Sequence, residues 1–122
     1  PQMIVCEKLR AICQKMKEYR NKPGYNDLPR SRDFYDIDLL WNRYKKNIDK
    51  NVLESALRNT MASRNNLKLL DRFEEIVEEI KSDESMKQRW GNYQREYVFA
   101  AGRTFSEVCR SALEILRTTV GR

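Results

Sequence analysis

Apolar residues recur every three or four positions along almost the whole chain, and this spacing constrains the fold more than any other feature. The first stripe runs through Val5, Leu9, Ile12, Met16 and Tyr19, at steps of four, three, four and three. Such spacing is typical of one face of an α-helix. No segment shows the sustained apolar/polar alternation of a half-buried strand. We therefore expect helices and no sheet.

Five further stripes follow, separated by residues that commonly begin or end helices. Asp33 or Asp36 can cap the second helix, and Asp49 can cap the third. Thr104, followed three residues later by Glu107, forms a capping box before the sixth. The helix boundaries are thus predicted as well as the helices themselves.

The remaining elements complete the predicted fold. The fourth helix is expected to run continuously over residues 67–80, and the fifth from about Glu84 until Gly102. The fifth is apolar on nearly all sides near its end, so we predict that it is the central helix. Residues 23–32 contain two prolines and a glycine and form the one long loop. The chain is predicted to be a single all-α domain over residues 1–122, excised from a longer protein: a compact bundle of five or six antiparallel or crossed helices.

The sequence lacks the residue types that most catalytic and metal sites use. It contains no histidine, which is the commonest general base and metal ligand. It also has no CxxC pair, no Gly-rich phosphate loop and no Gly-x-Ser-x-Gly element. Glutamate pairs such as Glu74 with Glu78 have the spacing of helical metal sites, but those sites also use histidine. We therefore predict that the protein is not an enzyme and holds neither a cofactor nor a metal.

Cysteine usage indicates a reducing, intracellular compartment. The three cysteines are an odd number, and Cys6 and Cys13 would lie about 10 Å apart on one helix, too far for a disulfide. The chain opens with no apolar signal segment and has no stretch long enough to span a membrane. We expect no membrane association, while a nuclear and a cytoplasmic location both remain open.

The charge pattern favours a binding function. The 24 Lys and Arg against 18 Asp and Glu give a net charge of +6, with most of the excess in residues 1–50, whereas the fourth helix has an acidic face. We predict a non-enzymatic protein–protein interaction module, an adaptor that docks a peptide or helix of a partner protein. The candidate partner-binding residues are Tyr25, Leu28, Arg30, Arg32, Tyr35, Glu74, Glu75, Glu78 and Glu79.

Two alternatives stay open. The basic residues near the N-terminus could bind the phosphates of RNA or DNA, with Tyr25 stacking on a base. The residues of this nucleic-acid alternative are Lys15, Lys17, Arg20, Lys22, Arg30, Arg32, Lys45 and Lys46. The second alternative is homotypic oligomerisation, in which one apolar face pairs with its copy across a two-fold axis.

Overall fold

A computed structural model of the chain describes residues 5–10, 31–63, 65 and 67–120. These residues form six α-helices and two short 3₁₀ helices, with no strand among them. The predicted all-α bundle is therefore confirmed. The helices are α1 (residues 5–10), α2 (Ser31–Tyr44), α3 (Lys50–Ser63), α4 (Phe73–Ser82), α5 (Glu84–Glu96) and α6 (Phe105–Thr119).

Side-chain caps begin three of these helices. The Asp49 carboxylate accepts hydrogen bonds from the backbone N–H groups of Asn51 and Val52, at 2.9 and 3.2 Å. Asp83 caps α5 in the same way. The predicted capping box is confirmed: the backbone N–H of Glu107 donates to the Thr104 hydroxyl, and the Glu107 carboxylate accepts from the backbone N–H of Thr104. Each cap satisfies N–H groups that the helix itself leaves unpaired.

The fourth predicted helix divides into two elements. A 3₁₀ helix spans Leu67–Arg72 and α4 follows from Phe73. Asn65, at the end of α3, has a positive φ of 58°. Asparagine tolerates this left-handed conformation better than most residues, so it suits the end of a helix.

The central helix of the described bundle is α6, which packs against α2, α3 and α4. The prediction that the fifth helix is central is wrong, because α5 buries only Met86 and Trp90. By contrast, most side chains of α6 are removed from solvent. Its fully buried apolar side chains are Val108, Cys109, Ala112, Ile115 and Leu116.

The fifth helix also ends earlier than predicted, at Glu96. Tyr97 adopts an extended conformation, with φ −123° and ψ 100°, and a 3₁₀ turn follows at Val98–Ala100. Val98 is 82% exposed, and Phe99 is exposed as well. The apolar run at this end is thus a surface turn rather than a helix buried on all sides.

None of the helices in the described ranges is long and apolar enough to cross a membrane. Several predicted features lie outside the described residues, among them Cys13 and most of the predicted loop. The predicted site residues that lie outside them are Lys15, Lys17, Arg20, Lys22, Tyr25, Leu28 and Arg30.

Candidate functional site: a lysine–carboxylate cluster beside an open cavity

Two aspartates on one face of α2 bind a single lysine of α1. The Lys8 Nζ atom lies 3.1 Å from Asp33 Oδ1 and 3.0 Å from Asp36 Oδ2. The two aspartates are three residues apart, so their side chains lie on neighbouring turns of one helix face. Arg32 joins the same group, with its Nε atom 3.8 Å from Asp36 Oδ2. We call Lys8, Arg32, Asp33 and Asp36 the Lys8 cluster.

The lysine of this cluster is largely withdrawn from water, its side chain being only 19% exposed. Burial alone would lower the pKa of Lys8, but the hydrogen bonds to Asp36 and Asp33 and the charges of those carboxylates outweigh it. The pKa of Lys8 is therefore raised, and the residue stays a cation at neutral pH. An ammonium group has three N–H donors, and the two carboxylates use two of them.

An open cavity of about 390 Å³ adjoins the Lys8 cluster through Arg32. One wall is the beginning of α2, with Ser31 and Arg32. The opposite wall is α5 and the residue after it, contributing Arg89, Asn92, Tyr93, Glu96 and Tyr97. Arg32 is thus the one residue of the Lys8 cluster among those that line the cavity.

Aromatic rings support the α5 wall of the cavity. The Tyr93 and Tyr97 ring centroids are 4.9 Å apart, and Tyr35 of α2 lies 4.9 Å from Phe99 and 6.2 Å from Tyr93. Burial raises the pKa of the Tyr93 phenol, and the negative charge of Asp36 raises it further. The phenol is thus neutral at physiological pH and can donate a hydrogen bond into the cavity.

A second ionic group on α2 faces the interior. Asp38, whose side chain is only 5% exposed, accepts two hydrogen bonds from the Arg103 guanidinium, both 2.9 Å long. It also accepts hydrogen bonds from the Ser111 hydroxyl at 2.6 Å and the Asn42 amide at 2.9 Å. We call these four residues the Asp38 network. It joins α2 to α6 and to the turn before α6.

The structure separates the predicted site residues that it describes. Arg32 and Tyr35 lie at the cavity or its aromatic support. Lys45 and Lys46 follow the opposite end of α2, about 20 Å from Arg32 by helix length, and Lys45 lies 3.9 Å from Glu114. The described basic residues of the nucleic-acid alternative therefore do not form one patch.

The predicted acidic residues lie on α4, and Glu74, Glu75 and Glu78 are exposed. Ion pairs join three of them to cations: Glu74 to Arg117, Glu75 to Arg72 and Glu78 to Lys81. Their hydrogen bonds lower the pKa of Glu74 and raise the pKa of Arg72 and of Arg117. Part of the acidic charge is thus neutralised within the chain, and a role in partner binding stays a prediction.

Sequence reasoning missed Lys8, Asp33 and Asp36. The first stripe places Lys8 away from the apolar face and predicts that it faces water, whereas it contacts α2. Asp33 and Asp36 are assigned as alternative caps, but they lie inside α2. Two carboxylates three residues apart on an amphipathic helix were the available signal, because such a pair can hold one cation.

Neither described cysteine is a nucleophile at neutral pH. Burial raises the pKa of Cys6 to about 11 and the pKa of Cys109 to about 12. Among the residues that the structure describes, no three side chains of the metal-ligating types Cys, Asp and Glu converge on one point. Asp33 and Asp36 are bonded to Lys8 instead.

The described part of the chain is therefore a helical domain with a half-buried lysine and two carboxylates beside a cavity lined by two arginines. The chain belongs to the AbiEii family: residues 1–111 match the family model described as nucleotidyl transferase AbiEii toxin of a type IV toxin–antitoxin system. Comparisons with curated proteins and with solved structures give no match.

This family overturns the predicted function. An interaction module or adaptor, nucleic-acid binding and homotypic assembly all describe a chain without catalysis, and as accounts of its function they are wrong. The prediction that the protein is not an enzyme is wrong for the same reason. The absence of histidine does not exclude this chemistry. Transfer of a phosphorus group depends mainly on positioning and on electrostatic stabilisation of phosphate oxygens, which Lys, Arg and carboxylates can supply.

Proposed function

We propose that this chain takes part in nucleotidyl transfer as part of a toxin of a type IV toxin–antitoxin system, and that the Lys8 cluster serves the reaction. One observation carries the proposal. Two carboxylates fix the Lys8 ammonium, and Asp36 also pairs with Arg32, which lines an open cavity together with Arg89. Membership of the family supports the reaction class.

The chemistry of nucleotidyl transfer fits these residues. A nucleophilic oxygen of the acceptor attacks the α-phosphorus of a nucleoside triphosphate, the bond to the β-phosphate oxygen breaks, and pyrophosphate leaves. Negative charge on the phosphate oxygens must be stabilised throughout. Lys8 offers its third N–H donor to such an oxygen, while Arg32 and Arg89 reach the phosphates from the cavity walls.

The carboxylates have a positioning role in this scheme. Asp33 and Asp36 fix the Lys8 ammonium from two sides, so that its remaining donor has a defined direction. Asp36 also pairs with Arg32, whose Nε atom lies 3.8 Å from Asp36 Oδ2 and whose side chain is 68% exposed. Preorganised donors of this kind stabilise developing charge without having to reorient during the reaction.

Divalent cations commonly assist phosphoryl transfer. The described residues do not fit such an ion, because no three ligating side chains converge and both carboxylates of the cluster are bonded to Lys8. We therefore assign no step of the reaction to a metal held by these residues.

The test replaces Lys8 with methionine in the intact protein, which keeps a long side chain and removes the charge. Label transfer from α-labelled nucleoside triphosphates is measured with total cellular RNA and protein offered as acceptors. We expect Lys8→Met to slow transfer about 100-fold or more, the typical effect of removing one preorganised donor. The matched control is Lys87→Met on α5, where an exposed lysine pairs with Glu84 at 3.2 Å.

The transfer rates of the Lys8→Met, Lys87→Met and wild-type proteins decide whether Lys8 has the proposed role. Equal transfer by the Lys8→Met and wild-type proteins would refute the proposed role of the cluster. Urea unfolding of both variants shows whether any loss of activity reflects loss of folded protein. A folded Lys8→Met protein without activity, beside an active Lys87→Met protein, supports the proposal.

The family name also implies a second protein, the antitoxin. The acidic face of α4 stays the surface that we propose for a protein partner, because it presents carboxylates at successive turns. Charge reversal at Glu75 and Glu78 should weaken co-purification of the antitoxin encoded with the toxin. Unchanged co-purification would remove this surface from consideration.

A further inference from the structure

A second cavity, of about 190 Å³, lies between α4 and α6 and shares no lining residue with the cavity beside the Lys8 cluster. Its lining combines charged and apolar side chains, among them Val77, Glu78 and Lys81 of α4 and Arg110, Leu113 and Arg117 of α6. The two apolar residues of this set are buried, so they lie at the base of the cavity. Cations outnumber carboxylates in the lining.

The cations of this cavity have N–H donors that the described part of the chain does not use. The Arg117 Nε atom donates to Glu74 at 2.8 Å, but a guanidinium has five N–H donors and this bond uses only one. Arg110 is exposed, and within the described residues it forms neither a hydrogen bond nor an ion pair. Lys81 Nζ lies 3.7 Å from Glu78 Oε2, which is longer than a hydrogen bond. An incoming anion could therefore bind without displacing the contacts of the fold.

The spacing of the two arginines sets the length of a ligand that could use both. Arg110 and Arg117 are seven residues apart, which is two turns or about 10 Å along one face of α6. Leu113 lies between them on the same face. A carboxylate can accept two parallel hydrogen bonds from one guanidinium. A short hydrocarbon chain with a carboxylate at each end therefore matches the two cations and the apolar surface between them.

We propose that this cavity binds a short dicarboxylate, with one carboxylate on Arg110, the other on Arg117 and the methylene groups over Leu113. Lys81 adds a third positive charge from α4 and offsets the charge of Glu78. Inorganic phosphate is a poorer ligand, because it has no apolar part and is too short to reach both guanidiniums. Since the site is built from two helices, an occupied cavity stabilises the folded chain.

The test measures dicarboxylate affinity in the intact protein. Succinate and glutarate are titrated in a calorimeter at constant ionic strength. Butyrate serves as a probe without the second carboxylate, and inorganic phosphate as a probe without the hydrocarbon. We expect the better dicarboxylate to bind at least about tenfold more tightly than either probe, because each probe loses the hydrogen bonds to one guanidinium.

Arg110→Gln removes one of the two proposed anchors. It should weaken dicarboxylate binding about tenfold or more. Because Arg110 is exposed, the variant should fold as the wild-type protein does. The matched control is Arg58→Gln on α3, which removes an exposed arginine that pairs with Glu54 at 3.0 Å and does not line the cavity. This control should bind dicarboxylates with wild-type affinity.

Three results would overturn the dicarboxylate site. The first is the absence of dicarboxylate binding at millimolar concentrations, and the second is equal affinity in the Arg110→Gln and wild-type proteins. The third is phosphate binding as tight as dicarboxylate binding, which would show that surface charge attracts any anion.

The proposed site is independent of the proposed function, because it uses none of the residues of the Lys8 cluster or of the cavity beside it. Lys8→Met should therefore bind dicarboxylates as the wild-type protein does, whatever its rate of nucleotidyl transfer. A loss of dicarboxylate binding in Lys8→Met would contradict the placement of the site between α4 and α6.

Discussion

Helix α2 contributes aspartates to two ionic groups, the Asp38 network and the Lys8 cluster, which differ in their surroundings. In the Asp38 network, a buried carboxylate of α2 accepts four hydrogen bonds from three side chains. The Lys8 cluster adjoins the cavity through Arg32, and its single ammonium, which has three N–H groups, is shared by two carboxylates. The first group is saturated, and the second is not.

The two groups therefore have different roles: the Asp38 network stabilises the fold, and we propose that the Lys8 cluster serves the reaction. A saturated buried carboxylate stabilises the fold because any change leaves buried polar atoms without partners. A cation whose N–H donors are not all used contributes less to the fold but can bind an incoming anion. Residue type alone does not distinguish the two groups, since both use aspartates of α2.

The largest expected effect on stability comes from the Asp38 network. Asp38→Asn keeps the size of the side chain but removes the charge and places an amide N–H₂ against donors. We expect the free energy of unfolding to fall by about 3 kcal/mol. Urea denaturation measures it. Asp36→Asn, in the Lys8 cluster, should change stability by at most about 1 kcal/mol because that group is closer to solvent. Equal losses in the two variants would erase the proposed distinction.

A smaller effect is expected from Ser111, whose buried hydroxyl donates to Asp38. Ser111→Ala should destabilise the fold by about 1.5 kcal/mol, the usual range for a hydrogen bond to a charged group. Ser106→Ala, at an exposed position of α6, is the control and should be close to neutral. If Ser111→Ala proved as mild as the control, the Asp38 network would not be as tightly coupled as its distances indicate.

Acid should weaken the cap at the beginning of α6. Arg103 links this cap to the Asp38 network, because its guanidinium lies 3.0 Å from the Glu107 carboxylate. Hydrogen bonds from the backbone N–H and hydroxyl of Thr104 lower the pKa of Glu107. This residue's stabilising contribution is therefore complete above the pKa of the unfolded chain and is lost as pH falls through the lower folded-state pKa. Urea unfolding between pH 6 and about pH 3 should show a shallower loss for Glu107→Gln than for the wild-type protein. Equal losses of stability with falling pH in the Glu107→Gln and wild-type proteins would contradict the assignment of this effect to Glu107.

Alkaline conditions test the Lys8 cluster with the opposite sign. Because the pKa of Lys8 is raised in the folded state, its contribution is complete below the pKa of an unfolded lysine and is lost as pH rises through the folded value. Lys8 therefore does not titrate near neutral pH. A transition between pH 6 and pH 8 that disappears in Lys8→Met would show that the cation is not held as described.

Local sequence signals predicted the fold well. The helical stripes and the caps at Asp49 and Thr104 depend on residues within one or two turns, so the sequence contains them directly. The end of α5 was harder to predict. Tyr97 and Ala100 continue the apolar spacing of that helix, but the chain turns at Tyr97 and leaves Val98 exposed. Periodicity cannot distinguish a buried helix end from a surface turn of the same composition.

The candidate site could not be predicted from these local signals. Lys8 and its two aspartates are separated by 25 and 28 positions, and only the packing of α1 on α2 brings them together. The same is true of the cavity, whose walls belong to α2 and α5. Arg32 was identified as a binding residue from its charge, but its neighbours could not be identified in that way.

The most direct test of the account compares nucleotidyl transfer by Asp36→Asn and Asp38→Asn, with each rate divided by the fraction of folded protein. We predict that Asp36→Asn loses at least about tenfold in rate because Lys8 and Arg32 lose their shared anchor. Asp38→Asn should retain nearly the wild-type rate per folded molecule. The reverse pattern, or equal rates in both variants, would contradict the assignment of the Lys8 cluster to catalysis and of the Asp38 network to the fold.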